Sequence, residues 1–312
     1  MIKPGGLKPG DRIGIVAPAS PAADEGDIRA GLNTLAALGF QVVEGKYIMR
    51  QNRYLAGTDE ERADDINRFF ADSSIRGIVC LRGGYGAGRI LPLIDYAAMS
   101  ENPKIFVGYS DITFLHLAIQ NKAEMVTFYG PMVLTEMARR FSDYTQTHFL
   151  KMVSSSHPAG KIGAHTQEAQ VIAEGNASGA LTGGYLPVLA GSLGTLYEID
   201  TQGKLLFFED FKREPFEVDR CLTQLLLSGK LNKAAGIVIG ECIDCEPKGR
   251  FPSSFSCGEV FQHRLGNLGI PVLSGLCFGH GDHKATIPMG VKAVLNTADK
   301  SLEIVEPAVK EE

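Results

Sequence analysis

Ile105-Phe106-Val107-Gly108-Tyr109-Ser110-Asp111-Ile112-Thr113-Phe114-Leu115-His116-Leu117-Ala118-Ile119 runs from an apolar segment, through a Gly and a Ser, into a segment with Ile112, Leu115 and Ile119 at helical spacing. The apolar run fits a buried parallel strand and the spacing fits a helix. Strand, tight turn with a Ser, then helix is the arrangement of a nucleophile elbow. It sets the Ser110 hydroxyl at the carboxyl end of a strand and the positive end of a helix, where unsatisfied backbone N–H groups can hold an oxyanion. Gly108 has no Cβ and lets the chain turn sharply. The usual elbow is G-x-S-x-G, and Ile112 stands where its second Gly would be. A second reading therefore stays open, in which Ser110 or Asp111 only caps the helix.

Outward from this stretch the same alternation recurs. Arg12 to Ala17 reads as a buried strand entered from the turn Leu7-Lys8-Pro9-Gly10-Asp11. Asp27 to Leu38 carries Ile28, Leu32, Leu35 and Leu38 on one side, with Gly39 at the C′ position. Phe40 to Val43, Ile75 to Leu81 and Val126 to Tyr129 are further strands, and Thr58-Asp59-Glu60-Glu61 is a capping box that opens a helix through Ile66, Phe69 and Phe70. Strand alternating with helix predicts an α/β fold with a doubly wound, mostly parallel sheet of the Rossmann/flavodoxin-like kind. Such sheets bind ligands beyond the carboxyl ends of their strands. Past Ser154-Ser155-Ser156-His157-Pro158-Ala159-Gly160 the style changes. Glu168 to Ala173, Lys204 to Phe208, Ala235 to Gly240 and Val272 to Phe278 read as strands, Leu186 to Leu193 and Pro215 to Leu227 as helices, and Ala285 to Gly290 with Ala293 to Val305 as a terminal meander. The expected organisation is an N-terminal domain over 1–153, a linker over 154–168 and a C-terminal α/β domain over 169–312.

Composition narrows the function classes. The 312 residues are 44% hydrophobic and 21% charged, ordinary for a soluble globular protein, and they suffice for two medium domains. The net charge of -5 with scattered Lys and Arg argues against nucleic acid or an anionic membrane as partner. No apolar run reaches the ~18 residues of a spanning helix. No secretory signal is visible, and six irregularly spaced Cys read as reduced thiols, so a cytoplasmic location is expected.

Three further segments follow buried strands and can carry chemistry. Arg82-Gly83-Gly84-Tyr85-Gly86-Ala87-Gly88-Arg89 lacks the Gly-Lys-Ser/Thr of a Walker A loop and a strict G-x-G-x-x-G. It is an oxyanion strip facing Ser110 or a tight structural turn. Glu209 ends an apolar run, a rigid mount for a carboxylate that orients a His. His280, in Cys277-Phe278-Gly279-His280-Gly281-Asp282-His283-Lys284, stands at a strand end, with His283 in reserve; His116 lies inside the elbow helix and reads as packing. The order Ser, Glu, His supplies a nucleophile, a carboxylate to fix the imidazole tautomer, and a base. A competing reading joins Cys242, Cys245, Cys277 and His280 into a zinc site, though no zinc-knuckle turn pattern surrounds Cys242.

Taken together these residues resemble the LD-carboxypeptidases, serine peptidases that include the microcin-C-resistance hydrolases. The likeness runs nearly end to end: Leu7 to Asp11 with Ile13 to Pro18, Tyr54 to Glu60, Arg82 to Gly86, Gly108 to Asp111, Phe208-Glu209-Asp210 and Phe278-Gly279-His280. The resemblance implies Ser110 as nucleophile, His280 as base and Glu209 as orienting acid, with an oxyanion hole from the backbone N–H groups of Asp111 and Gly84. It implies a C-terminal domain with a mixed sheet, an active site between the domains, a homodimer, and neither metal nor cofactor. The implied reaction releases C-terminal D-Ala from murein tetrapeptide, at a bond from an L-centre to a D-residue, during cell-wall recycling. Arg82, Tyr85 and Arg89 adjoin the expected site as substrate-binding candidates, and an Arg suits the substrate's terminal carboxylate. Lys284 is also nearby. Many members carry Asn where this chain has Tyr185, so Tyr185 alters specificity or packs. The chain has no Trp, the most obvious platform for a nucleobase, which weighs against the alternative of a peptidyl-nucleotide amide hydrolase. A non-catalytic binding protein is the remaining alternative, and mere binding has no need of Ser110, Glu209 and His280 together.

Overall fold

Ile13, Ile15 and Val16 are completely buried in β1 (Arg12–Val16), the strand on which the first sheet is built. In the computed structural model, which describes residues 1–165, 168–251 and 253–311, β1 lies between β2 (Gln41–Glu44) and β3 (Ile75–Cys80), both parallel to it. β4 (Ile105–Gly108) and β5 (Thr127–Tyr129) continue the parallel order beyond β3, and β12 (Ile287–Met289) closes that edge antiparallel to β5. The strands are short apolar runs because both faces of the sheet are covered. Between them lie α1 (Glu25–Ala37), α2 (Asp59–Ala71), α3 (Ala87–Ile90), α4 (Tyr96–Glu101) and α5 (Thr113–Lys122), and α6 (Asp143–Ser154) follows β5. The expected capping box forms at α2: Glu61 N–H donates to Thr58 Oγ1 (3.2 Å) and Thr58 N–H to Glu61 Oε2 (2.9 Å), satisfying two N–H groups that the helix leaves open.

The second unit is a mixed sheet in the order β6-β14-β13-β8-β9-β10-β11-β7. Its strands are β6 (Gly160–Ile162), β7 (Gln170–Ala173), β8 (Asn176–Tyr185), β9 (Leu205–Phe211), β10 (Gly236–Ile243), β11 (Val272–Gly279), β13 (Lys292–Asn296) and β14 (Ser301–Ile304). The long strand β8 serves two neighbours: residues 176–180 pair antiparallel with β13, and residues 181–185 pair parallel with β9. From β8 to β11 the strands are parallel, so the ends of β8, β9 and β11 bring Tyr185, Glu209 and Gly279 to one edge. The helices are α7 (Leu186–Ser192), α8 (Pro215–Leu227), α9 (Lys230–Lys233) and α10 (Cys257–Leu265). α8 buries Val218, Leu222 and Leu225 at helical spacing. α10 is absent from the sequence reading, although Ser256 and Glu259 form a capping box at its start.

The expected terminal meander is divided. Ile287–Met289 pairs with β5 in the first sheet, whereas β13 and β14 form a hairpin in the second. The first unit comprises Met1–His157, Thr286–Gly290 and the stretch from Pro307 onward, and the second comprises Pro158–Ala285 and Val291–Glu306. The chain therefore passes from one unit to the other four times, after His157, Ala285, Gly290 and Glu306. Within 154–168, Gly160–Ile162 is strand β6, and Thr166 and Gln167 lie outside the described residues. No helix among the described residues is long and apolar enough to cross a membrane.

Candidate active site

In the first unit, Ser110 follows β4 by two residues with φ of 64°, in the left-handed region that an L-residue avoids. Such a conformation costs on the order of 1–2 kcal/mol. It is held from several sides. Ser110 N–H donates to Tyr129 Oη at 3.3 Å, and His116 Nε2 lies 2.8 Å from the carbonyl oxygen of Gly108 at the end of β4. A carbonyl can only accept, so Nε2 carries the proton. Burial pulls the His116 imidazole down to about 4, which keeps it neutral in this packing role.

Asp111 sends its carboxylate to the Gly-rich loop, accepting from Ala87 N–H at 2.8 Å. Burial pushes its carboxyl up to about 6. Gly83 stands against Ser110: a Cβ there would meet Ser110 Cβ at 2.9 Å and Oγ at 3.1 Å, an approach only glycine allows. Gly84 faces Ser20, whose Oγ accepts Tyr85 N–H at 3.1 Å. Buried Arg62 of α2 ties the loop down, donating to the carbonyls of Gly86 (2.8 Å) and Pro18 and pairing with Asp59. Arg89 forks onto the same Asp59 at 2.9 and 3.1 Å through Nε, with Nη2 at 2.9 Å. Arg82 is half-buried, and its Nη1 reaches the Pro21 carbonyl at 3.4 Å. Tyr85 is exposed, its ring edge-on to Tyr54 at 5.7 Å.

In the second unit, Glu209 and His280 meet. His280 Nδ1 lies 2.7 Å from Glu209 Oε2, with the Glu209 side chain fully buried and that of His280 11% exposed. Gly279, with φ of 108°, makes room: a Cβ there would strike Glu209 Cγ at 2.7 Å. Alternation along β9 puts Phe211 on the same face as Glu209, and its ring stacks on the His280 imidazole at 4.5 Å and 2°. Tyr185 is the register partner of Glu209, with its ring 5.4 Å from His280. His283 packs edge-on to His165 at 4.8 Å. Phe211 was legible only through its two-residue offset from Glu209.

Asp210 points the other way along the alternation and is fully buried. Its Oδ1 accepts from Phe211 N–H (2.8 Å), while Oδ2 has no hydrogen-bond partner among the described residues. Burial, with smaller contributions from Cys245 and Glu209, pushes the carboxyl up to about 8. A carboxyl raised in the folded state holds its proton there after the unfolded chain has lost it. Its contribution to stability is complete below about pH 4 and is lost as pH rises toward 8, at ~1.4 kcal/mol per unit. Asp111 adds the same sign between about pH 4 and 6. Asp210→Asn is expected to flatten the fall in urea-unfolding free energy between pH 5 and 8, and a slope equal to wild type would mean that Asp210 ionises freely. Arg213, unnoticed in the sequence, has its buried Nε without a hydrogen-bond partner among the described residues, and Nη2 lies 3.7 Å from Glu217 Oε1.

The four-residue zinc site does not assemble. Cys277 Sγ donates to the His283 carbonyl at 3.1 Å, and His280 is bonded to Glu209. Among the described residues no group of three or more His, Cys, Asp or Glu is arranged to hold a metal ion.

A strained Ser behind a parallel strand and a carboxylate-bound His define the class of this chain together with its sequence. The chain belongs to the LD-carboxypeptidase family, matching the family's N-terminal domain over residues 13–130 and its C-terminal domain over residues 178–295. It is an enzyme, a serine carboxypeptidase. A protein of Bacillus subtilis (strain 168) named "Probable murein peptide carboxypeptidase" is 40% identical over 313 residues, spanning 99% of this chain and 96% of its own. A crystal structure of muramoyltetrapeptide carboxypeptidase from Oxalobacter formigenes aligns with a TM-score of 0.83 at 30% identity, covering 94% of this chain and 97% of that one. A structure of MccF in complex with glutamyl sulfamoyl guanosine aligns with a TM-score of 0.91 at 27% identity, covering 99% and 100%.

Proposed function

We propose that this enzyme hydrolyses the L-to-D peptide bond that releases C-terminal D-Ala from murein tetrapeptide, with Ser110 as nucleophile, His280 as general base and Glu209 as the orienting carboxylate. The observation that carries the reading is the 2.7 Å bond between His280 Nδ1 and buried Glu209. A buried carboxylate accepting from Nδ1–H leaves the Nε2 lone pair as the base. Nε2 takes the Ser110 hydroxyl proton as Oγ attacks the carbonyl carbon of the residue before D-Ala. Backbone N–H groups of Asp111 and Gly84 receive the oxyanion. The imidazolium then protonates the departing D-Ala amine, and water, deprotonated by the same base, releases the acyl group from Ser110.

Arg82 is the better placed of the two loop arginines to hold the substrate's terminal carboxylate, because Asp59 already fills the fork of Arg89. The relatives named for murein peptides support the substrate class. The likeness to MccF supports a second reading, hydrolysis of a peptidyl-nucleotide amide, and the absence of Trp weighs against it.

The test offers wild type and Arg82→Ala three substrates: murein tetrapeptide, its C-terminal amide, and an aminoacyl sulfamoyl nucleoside. Wild type is expected to release D-Ala from the free acid and to leave the nucleoside intact. Arg82→Ala is expected to raise KM for the free acid by roughly tenfold or more, as for loss of a charge-assisted pair, with little change for the amide. Turnover of the nucleoside alone would replace the murein assignment, and equal effects on acid and amide would remove Arg82 from carboxylate recognition.

A further inference from the structure

The peptide that joins Gly83 to Gly84 is held by a residue sixty positions earlier. Its carbonyl oxygen accepts from Ser20 N–H at 3.3 Å. A trans peptide sets its C=O and N–H in opposite directions, and this one is trans. With the Gly83 carbonyl turned to Ser20, the Gly84 N–H is turned away from it. Gly83 also stands against the elbow: a Cβ on it would meet Ser110 Oγ at 3.1 Å and the backbone nitrogen of Asp111 at 3.3 Å. A Cβ on Gly84 would instead meet Ser20, at 2.7 Å from its Cβ. The half-buried Ser20 also takes the next N–H along the loop, that of Tyr85, on its Oγ at 3.1 Å. Ser20 is itself fixed, because the completely buried Ala19 before it accepts from Ala56 N–H at 3.0 Å.

A peptide between two glycines is the kind most free to turn over. Neither end has a Cβ to oppose the rotation, and Gly84 already stands at φ of 110°. Turning over exchanges the directions of C=O and N–H. It would put a carbonyl oxygen where the proposed reaction needs a donor.

We propose that Ser20 is a positioning residue that aims the Gly84 N–H at the oxyanion. Its N–H holds the Gly83 carbonyl and its Oγ holds the Tyr85 N–H, so the Gly83–Gly84 peptide is bracketed on both sides. The far end of the loop is tied separately, by Arg62 to the Gly86 carbonyl at 2.8 Å and by Ala87 N–H to Asp111 Oδ2 at 2.8 Å. Removing the Ser20 hydroxyl therefore releases the near end alone. The inference rests on the serine mechanism proposed above and adds to it a residue that acts through the loop. Because the oxyanion forms only as the bond is attacked, Ser20 acts on kcat and leaves KM in place.

The experiment compares wild type, Ser20→Ala and Ser20→Cys. Alanine keeps the backbone N–H and removes the acceptor for Tyr85, and cysteine keeps a weak one. Two quantities are measured: D-Ala release from murein tetrapeptide, and affinity for the corresponding tripeptide with a boronic acid in place of its terminal carboxyl. Ser110 Oγ bonds to that boron, and an oxygen of the tetrahedral adduct takes the place of the oxyanion. Ser20→Ala is expected to lower kcat by roughly tenfold or more, part of the ~10²–10³-fold that one oxyanion donor supplies. KM should stay within about twofold, and boronate affinity should fall by the same factor as kcat/KM. Ser20→Cys should lie between the two. Circular dichroism checks that each variant folds, and if Ser20→Ala does not, Ser20→Cys against wild type carries the same two measurements. A change in KM alone, or a boronate affinity equal to wild type, would overturn the role of Ser20 while leaving Ser110 as nucleophile. Absence of a boronate adduct in wild type would instead remove the serine mechanism, and this role with it.

Discussion

Ser110→Ala is expected to lower kcat for D-Ala release by roughly 10⁴–10⁶-fold, the scale found when a triad nucleophile is removed. KM should stay within a few-fold, since the hydroxyl acts on the reacting carbon and contributes little to ground-state binding. The variant should still fold, because alanine occupies the same left-handed conformation with the same penalty. Ser110→Gly adds a discriminating control. It is expected to be equally inactive but more stable than Ser110→Ala by about 1 kcal/mol, since glycine adopts φ of 64° without steric cost. Progress curves with murein tetrapeptide and urea denaturation read the two effects separately. Residual activity above a tenth of wild type would reduce Ser110 to a helix cap.

Glu209→Gln is expected to lower kcat by roughly 10³–10⁴-fold, as for a triad carboxylate exchanged for its amide. The side chain is fully buried and its Oε2 holds Nδ1 of His280. An amide of the same shape can turn its NH₂ toward Nδ1, which forces the proton onto Nε2 and leaves no lone pair to take the Ser110 proton. The stacked ring of Phe211 still fixes the imidazole plane, so the fold and the melting temperature should change little. Kinetics at several pH values, with near-ultraviolet circular dichroism to confirm packing, check the result. A loss below tenfold would mean that packing alone orients His280.

Where local sequence carries the determinant, it could be read. The apolar runs of β3 and β4, the capping box at Thr58 and the periodicity of α8 each fix a conformation within a few residues. Ser110, Glu209 and His280 are singled out because each follows such a run, and strand ends are where a side chain leaves the core; the structure joins the last two through the 2.7 Å bond. What escaped depends on distant partners. Spacing cannot tell which glycine meets Ser110, since Gly83 and Gly84 differ only in which way the backbone is turned. The fork of Arg89 onto Asp59 joins residues thirty positions apart. β8 hid because small residues over Ala177-Ser178-Gly179-Ala180, followed by Gly183-Gly184, leave no clear run of alternating apolar side chains. The capping box at Ser256 was readable, but Gly258 beside it obscured the short helix α10.

The placement of β12 has a consequence for biosynthesis. Translation delivers β5 about 160 residues before β12, its antiparallel partner, and everything between belongs to the other unit apart from α6 and its flanks. At ~5–20 residues per second, the nascent first sheet waits on the order of ten seconds with the backbone of Thr127 to Tyr129 unpaired on one side. During that interval the ribosome-bound chain presents an open strand edge to its neighbours. A chain released after His157 would keep that edge permanently.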